Sequence, residues 1–343
     1  MKIKSFRMVR IRCFEDTNAI DLSPSCNIFI GQNNAGKSTL LKGLLAFQGF
    51  PFSLSDIRPG SHSSYHQIVL TNVLPSELVR NRPNPNAAEF RMVNMLHGAH
   101  PPSDNLPTSI LSNNVVVFDA ARPNHTIIPF LAKRKAPEFT HDITAGSQSK
   151  VLGTYSNLYS RVDLLATAGH PRHEQFQKAI GEIVGLPITT KASANGKEAG
   201  FYLDDDTFVS LDRMGDGVTD MVALIVELCL ERDKVFILEE PETNLHPNGL
   251  KALLSMVRAS TAQNQFVIST HSNIVVRELG SDEGTKLFRV WRDDEDHKAP
   301  SSLEEIPRTP SAHIAMLREL GYGFGDFGLH EVGFSLKNLP LNQ

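Results

Sequence analysis

One eight-residue segment, Gly31-Gln32-Asn33-Asn34-Ala35-Gly36-Lys37-Ser38, restricts the fold of this chain more than any other stretch. The apolar run Ile28-Phe29-Ile30 precedes it, and Leu40, Leu41, Leu44 and Leu45 follow at helical spacing. A buried strand must therefore enter a tight loop and leave it as a helix. In that context the pattern G-x-x-x-x-G-K-[ST] is a phosphate cradle. Gly31 and Gly36 let backbone N–H groups approach an anion closely, and the helix N-terminus adds a favourable dipole. Asn33, Asn34, Ala35 and Thr39 fill out the cradle. Lys37 is placed to reach β- and γ-phosphates, and the Ser38 hydroxyl to ligate Mg²⁺. The ligand this implies is ATP with Mg²⁺.

A second motif supplies the acid groups that such a site needs. Val235-Phe236-Ile237-Leu238 reads as a buried strand, and it ends in Glu239-Glu240-Pro241-Glu242. Carboxylates at the end of an apolar strand are unfavourable unless something pairs with them. A metal ion beside a nucleotide is such a partner. Glu239 is expected to hold the metal, and Glu240 to orient or deprotonate an attacking water. A third strand, Phe266-Val267-Ile268, ends in Ser269-Thr270-His271-Ser272. There the His271 imidazole can hydrogen-bond a γ-phosphate and sense its presence. Met214-Gly215-Asp216-Gly217 opens a helix marked by Val218, Met221, Val222 and Ile225. It reads either as a helix cap or as a further anion site.

The remaining chain fits an α/β protein. Residues 1–30 alternate charged and apolar positions and suggest a curved sheet. Residues 50–114 suggest peripheral strands and loops, and Val115-Val116-Val117-Phe118 a short buried strand. The stretch 135–200 carries helical spacing at Leu158, Val162 and Leu165, and at Phe176, Ile180 and Ile183. It is expected to be a helical insert between an N-terminal part, 1–134, and a C-terminal part, 201–343. Leu250, Leu253, Leu254 and Val257 mark one more helix. Strands alternating with helices imply a mainly parallel sheet with its ligand at the strands' carboxyl ends.

Composition narrows the partners. The 343 residues are 41% apolar and 21% charged, with a net charge of −4, so no global basic character points to nucleic acid. Lys133-Arg134-Lys135 and the N-terminal Lys2, Lys4, Arg7, Arg10 and Arg12 are the local basic candidates for DNA. The cysteines, Cys13, Cys26 and Cys229, are too scattered for a structural zinc site and suit a reducing compartment. The N-terminus has no apolar leader, and Met221–Leu230 is too short to span a bilayer and contains Glu227. A cytoplasmic protein without a membrane partner is expected.

In order and spelling, GQNNAGKSTLL, RMGDGV, EEPETNLHP and STHS resemble the ABC-type ATPases. More closely, they resemble the OLD (overcoming lysogenization defect) family and related AAA-type ATPases of phage defence. The resemblance implies a P-loop ABC-type ATPase head: a mainly parallel sheet flanked by helices, an antiparallel N-terminal sheet and a small helical insert. It also implies a head-to-head homodimer that closes ATP between the Walker A loop of one copy and Gly215-Asp216-Gly217 of the other. Ser210 and Asp216 are both candidates to assist the signature backbone, and Glu242–His246 would cross the interface. Asp56 and Gln67 are both candidates for the metal-contacting Q-loop residue, and Arg122 could approach a phosphate. Longer OLD members carry a Toprim nuclease domain. Leu320–Asp326 resembles the segment that leads into it, and nothing after that segment resembles its metal site. Asp204–Asp206 and Asp293–Asp296 read as solvated turns. The expectation is an ATPase without a nuclease of its own, acting on a separate effector subunit. A DNA-binding clamp of the SMC or recombination type is the alternative, and a transporter ATPase fits less well.

Overall fold

A computed structural model describes residues 1–48, 52–73, 79, 81–84, 86–97, 105–112, 126–131, 158–193, 196–243, 245–293 and 299–319. The chain opens with β1 (Lys2–Ile11), β2 (Phe14–Asp16), β3 (Ile20–Asp21) and β4 (Cys26–Ile30), then α1 (Lys37–Leu45). Next come β5 (Ser64–Thr71), β6 (Phe90–His97), β7 (Thr108–Ser112) and β8 (Ile127–Phe130). Then follow α2 (Leu158–Ala166), α3 (His173–Ala179), β9 (Thr189–Ser193), β10 (Gly196–Tyr202) and β11 (Phe208–Ser210). The last part holds α4 (Asp216–Leu230), β12 (Val235–Glu239), α5 (Pro247–Ser260) and β13 (Gln265–Thr270). It ends with α6 (Asn273–Gly280), β14 (Thr285–Trp291), β15 (Ser302–Glu305) and α7 (Pro310–Glu319).

These strands form three sheets. The central one runs β15-β14-β4-β13-β12-β8, parallel throughout except for β15. The N-terminal sheet runs β2-β1-β5-β6-β7, with β3 also on β1, and is antiparallel apart from the β6–β7 pair. Both arrangements match the expected α/β architecture.

Alternate residues of the central strands enter two different cores. Ile28, Ile30, Phe236, Leu238, Phe266 and Ile268 pack with the helical side, among residues of α2 to α6. Phe29, Val235, Ile237, Val267, Phe288 and Val290 pack on the other face with α1 and the N-terminal sheet. A sheet covered on both faces needs apolar residues at consecutive positions, which is why β4, β12 and β13 read as unbroken hydrophobic runs. Two buried glutamines tie elements together. The Gln265 amide accepts from the Ile3 N–H at 2.8 Å and donates to the Ile3 and Ser23 carbonyls at 2.8 Å each, joining β1 to β13. Gln48 does the same for β8, accepting from the Ile127 N–H and donating to its carbonyl.

The described structure also holds elements that the sequence-based reading did not foresee. Residues 115–118 lie outside the described residues, and the strand beside β12 is β8. Pro129 within Ile127-Ile128-Pro129-Phe130 argues against a central strand, but β8 pairs only with β12 among the described residues and tolerates a missing N–H. The helices α2 and α3 occur where the spacing placed them. They are followed by a three-stranded antiparallel sheet, β11-β10-β9, that the composition did not reveal, and β10 runs through residue 200. Finally, β14 and β15 extend the central sheet beyond β4.

One core residue sets a pH dependence. His66 on β5 is 1% exposed, edge-on to the rings of Phe47 and Phe52, and neither ring nitrogen has a hydrogen-bond partner among the described residues. Burial pushes its pKa down to about 3 from 6.5. The folded ring stays neutral while the unfolded one takes a proton, so the stability is fully present above pH 6.5 and is lost as pH falls toward 3. Urea unfolding at pH 7 and pH 4.5 should show this. His66→Leu should lose about 2–3 kcal/mol less than the wild type over that interval, and equal losses would disprove the assignment.

Candidate nucleotide site

The phosphate loop leaves β4 at the centre of the parallel sheet. Gly31 is pressed against β14, and a Cβ there would lie 2.0 Å from the Val290 carbonyl oxygen. Gly36 has φ +112°, a conformation side chains resist, and a Cβ would meet Cys13 Sγ and the Phe14 ring at 2.8 and 2.9 Å. Asn34 also has positive φ, at 65°. The loop ends in α1, where the Thr39 and Leu40 N–H groups donate to the Gly36 carbonyl at 2.9 and 3.2 Å. Asn33 and Asn34 are exposed, whereas Ala35 and Thr39 are buried beneath the loop. Gly31→Ala should lower stability by about 1–3 kcal/mol, because a backbone carbonyl cannot swing away as a side chain can. An unchanged melting midpoint would show that the loop and β14 are not in tight contact.

Lys37 is 6% exposed, and its Nζ donates to the Gly31 and Gln32 carbonyls at 2.8 and 3.0 Å. Burial lowers its pKa, and the carboxylates of Glu240, Glu242 and Glu239 oppose that shift. The buried ammonium thus sits within the field of all three acids at the end of β12. Register explains why they converge: β13 lies between β4 and β12, so the loop, the acids and the Thr-His-Ser turn share one sheet edge.

At that edge the Ser38 hydroxyl donates to Glu239 Oε1, bringing together the two side chains expected at the metal. Glu240 has φ +48°, and its N–H donates to the Ser269 carbonyl at 2.8 Å. A non-glycine residue held there costs on the order of 1–3 kcal/mol, and such positions cluster at functional sites. Pro241 follows and disfavours the right-handed helical alternative for Glu240. His271 is half-exposed, with Nδ1 at 3.5 Å from Glu240 Oε1 and 3.4 Å from Glu242 Oε1.

Sequence reasoning placed Glu242 only at the start of the segment that would cross the dimer interface, whereas here it packs against the turn after β13. Its Oε1 accepts from Thr270 Oγ1 at 2.7 Å and from the His271 N–H at 3.1 Å, while Oε2 is buried without a hydrogen-bond partner among the described residues.

The glycine signature caps α4 through Gly215, where a Cβ would meet open space. Gly217, Asp220 and Met221 on the first turns of α4 line a cleft with Glu239, Glu240, Pro241 and Thr243. The two ends are therefore neighbours within one chain. The Ser210 hydroxyl is taken by Asp212.

Several other candidates are engaged elsewhere. Arg12 binds Asp56 at 2.7 Å, and Ser53 caps the same carboxylate. Gln67 is buried on β5, opposite Arg7. The N-terminal basic residues also have partners: Lys2 the Gln263 carbonyl, Lys4 Glu89, Arg7 Asp16 and Arg10 Glu15. Asp204 accepts from the N–H groups of Asp206 and Thr207, as turn residues do. Arg122, Lys133–Lys135, Asn244, Asp294–Asp296 and Leu320–Asp326 lie outside the described residues.

Residues 101–277, a little more than half of the chain, match the family described as "AAA domain, putative AbiEii toxin, Type IV TA system". The chain belongs to this AAA-domain family. Residues 1–73 match a second family, described as an AAA ATPase domain. The two matches cover the phosphate loop, both glutamates and His271, so the AAA assignment rests on the parts that converge in space.

Solved structures agree on the fold. One is an SMC head bound to the C-winged helix domain of ScpA, with a TM-score of 0.56 and 11% identity over 91% of this chain and 100% of that one. Another is the SMC head with an extended coiled coil bound to the C-terminal domain of ScpA, derived from Pyrococcus furiosus. Its TM-score is 0.57 at 11% identity, over 94% and 100% of the two chains. This AAA domain therefore has an SMC-head-like α/β P-loop fold. No curated protein matches it significantly. Among the described residues, no helix is long and apolar enough to cross a membrane.

Proposed function

We propose that this AAA domain is a Mg²⁺-dependent ATPase of the ABC type. It would work as a nucleotide-driven homodimer that switches a separate effector, with a nuclease as the favoured effector. The observation that carries the reading is the Ser38–Glu239 hydrogen bond beside Lys37, Glu240 and His271 at one sheet edge. A hydroxyl and a carboxylate brought together are the hard-oxygen donors that suit Mg²⁺, so Ser38 and Glu239 would hold the ion. When bound, the ion neutralises phosphate charge and orients the triphosphate.

The chain's own groups then divide the work. Lys37 exchanges its two backbone carbonyls for β- and γ-phosphate oxygens, and the loop N–H groups, from Asn33 to Ser38, cradle them with Thr39 beside them. Glu240 orients the water and takes its proton as the oxygen attacks the γ-phosphorus and the bond to ADP breaks. His271 hydrogen-bonds the γ-phosphate and reports its loss. Gly215, Asp216 and Gly217 of a second copy close over the nucleotide from the opposite side.

A role in phage defence, near the OLD branch, draws on the motif spelling and on a family description that names a toxin–antitoxin system. The SMC-like alternative has the shared fold, and those heads are solved with an ScpA domain bound, so a head of this shape can carry an accessory subunit. A DNA clamp is less favoured, because the N-terminal basic side chains already hold internal partners. Native mass spectrometry of the endogenous protein with and without Mg-ATP tests the proposal. Dimerisation on nucleotide with a protein effector attached is the expected result. A monomer that ignores Mg-ATP, or one that retains only DNA, would refute it.

A further inference from the structure

The motif Glu239-Glu240-Pro241-Glu242 contains one more acid than metal binding and water activation require. The third, Glu242, is 11% exposed and points back under the end of β13 instead of into the cleft. Its Oε1 receives two hydrogen bonds, from the Thr270 hydroxyl and from the His271 backbone N–H, so it clamps the peptide that carries the imidazole. The same oxygen lies 3.4 Å from His271 Nδ1, and Glu240 Oε1 lies 3.5 Å from that nitrogen on another side. Two carboxylates facing one ring nitrogen select, of the two neutral tautomers, the one with its N–H on that nitrogen. The turn that returns Glu242 is closed by Thr243 N–H donating to the Glu240 carbonyl at 3.0 Å, so Glu240 and Glu242 belong to one hydrogen-bonded turn.

We propose that Glu242 is a positioning residue that sets the orientation and tautomer of His271, a reading that rests on His271 acting at the γ-phosphate. The Nδ1–H form, held between Glu240 and Glu242, leaves Nε2 as the nitrogen presented to the nucleotide. Glu242 would thus couple the catalytic glutamate to the sensor: a shift of the acid turn on loss of γ-phosphate would release the imidazole as well.

The test compares wild type with Glu242→Ala and Glu242→Gln. It measures kcat, KM and ATP affinity, together with the ring nitrogen shifts of His271 in ¹⁵N-histidine-labelled protein, assigned with His271→Asn. In Glu242→Ala, kcat should fall about 10–100-fold, as for groups that orient a functional histidine. KM and ATP affinity should stay within about threefold, the mark of a group that acts on the chemical step. The ring should move from Nδ1–H toward Nε2–H. Glu242→Gln keeps an acceptor for Thr270 and the His271 N–H, and should recover part of the rate while still shifting the tautomer. An alanine variant within twofold of wild-type kcat would overturn the proposal. So would a rate loss with an unchanged ring spectrum, or one that only follows a parallel loss of ATP affinity and folding. If Glu242→Ala does not fold, Glu242→Gln is judged by the same readouts. Failure of the ATPase reading is distinguishable: the wild type would not turn over Mg-ATP, while the ring spectrum would still report whether Glu242 sets His271.

Discussion

Glu240→Gln should reduce ATP turnover by about 10²–10⁴-fold, the range for removing a positioned general base, while leaving ATP affinity within a few-fold. Glutamine has the same shape and can still accept a hydrogen bond from water, but it cannot take the proton released as the oxygen attacks phosphorus. The backbone argument points the same way. The φ of +48° and the bond to the Ser269 carbonyl hold Glu240 at the sheet edge whichever head group it carries, so the variant should fold normally. Nucleotide would then bind without being consumed, and the dimer should accumulate in its closed form on a sizing column. Steady-state hydrolysis and filter binding decide the matter. Turnover near the wild-type rate would remove Glu240 from the mechanism and leave Glu239 or a partner-derived group as the base. A loss of rate accompanied by loss of binding would mean that the substitution damages the phosphate site itself.

Much of this site was legible in the sequence because each part lies at the end of an apolar run. Strand β4 leads to Gly31, β12 to Glu239 and β13 to Thr270, and in a parallel sheet such ends share one edge. Adjacency along the chain was enough to locate Ser38, Glu239, Glu240 and His271. It was not enough for Glu242, whose role depends on a turn that reverses its direction and on a hydroxyl 28 residues away. The fold was legible to the same degree. Strands buried on both faces gave continuous signals, whereas β8 contains Pro129 and the strands β9–β11 are rich in Thr, Lys and Gly, with one face only partly covered. The basic N-terminus shows what a linear reading leaves open between a solvated face and a DNA contact. Alternating charges suggested a strand of a curved sheet, and Asp16, Glu15, Asp56 and Glu89 lie across from Arg7, Arg10, Arg12 and Lys4 in space, which the linear order does not show.

Arg161→Leu should destabilise the protein by about 3–5 kcal/mol, the range for breaking a buried ion pair by removing one partner. Glu227 was already conspicuous as a carboxylate within the apolar stretch Met221–Leu230, yet nothing near it in sequence could neutralise it. Its counter-ion comes from α2: the Arg161 guanidinium donates to both Glu227 oxygens, one of them at 3.1 Å, and to Glu231 at 2.9 Å. Burial pushes the Glu227 pKa up and Arg161 pulls against it, so the carboxylate depends on that one arginine far more than on Lys234. Leucine would fill the volume but leave an acid without its cation in the core shared by α2 and α4. The double variant Arg161→Leu/Glu227→Leu should recover most of the loss, since a buried pair is often no better than the apolar residues that replace both members. Equilibrium urea unfolding of the two single variants and the double measures this coupling. Additive effects would show that the pair is not the link between α2 and α4. Strong coupling would make the bridge the means by which residues before the signature helix hold that helix in place, with Gly217 of its first turn lining the cleft beside Glu240.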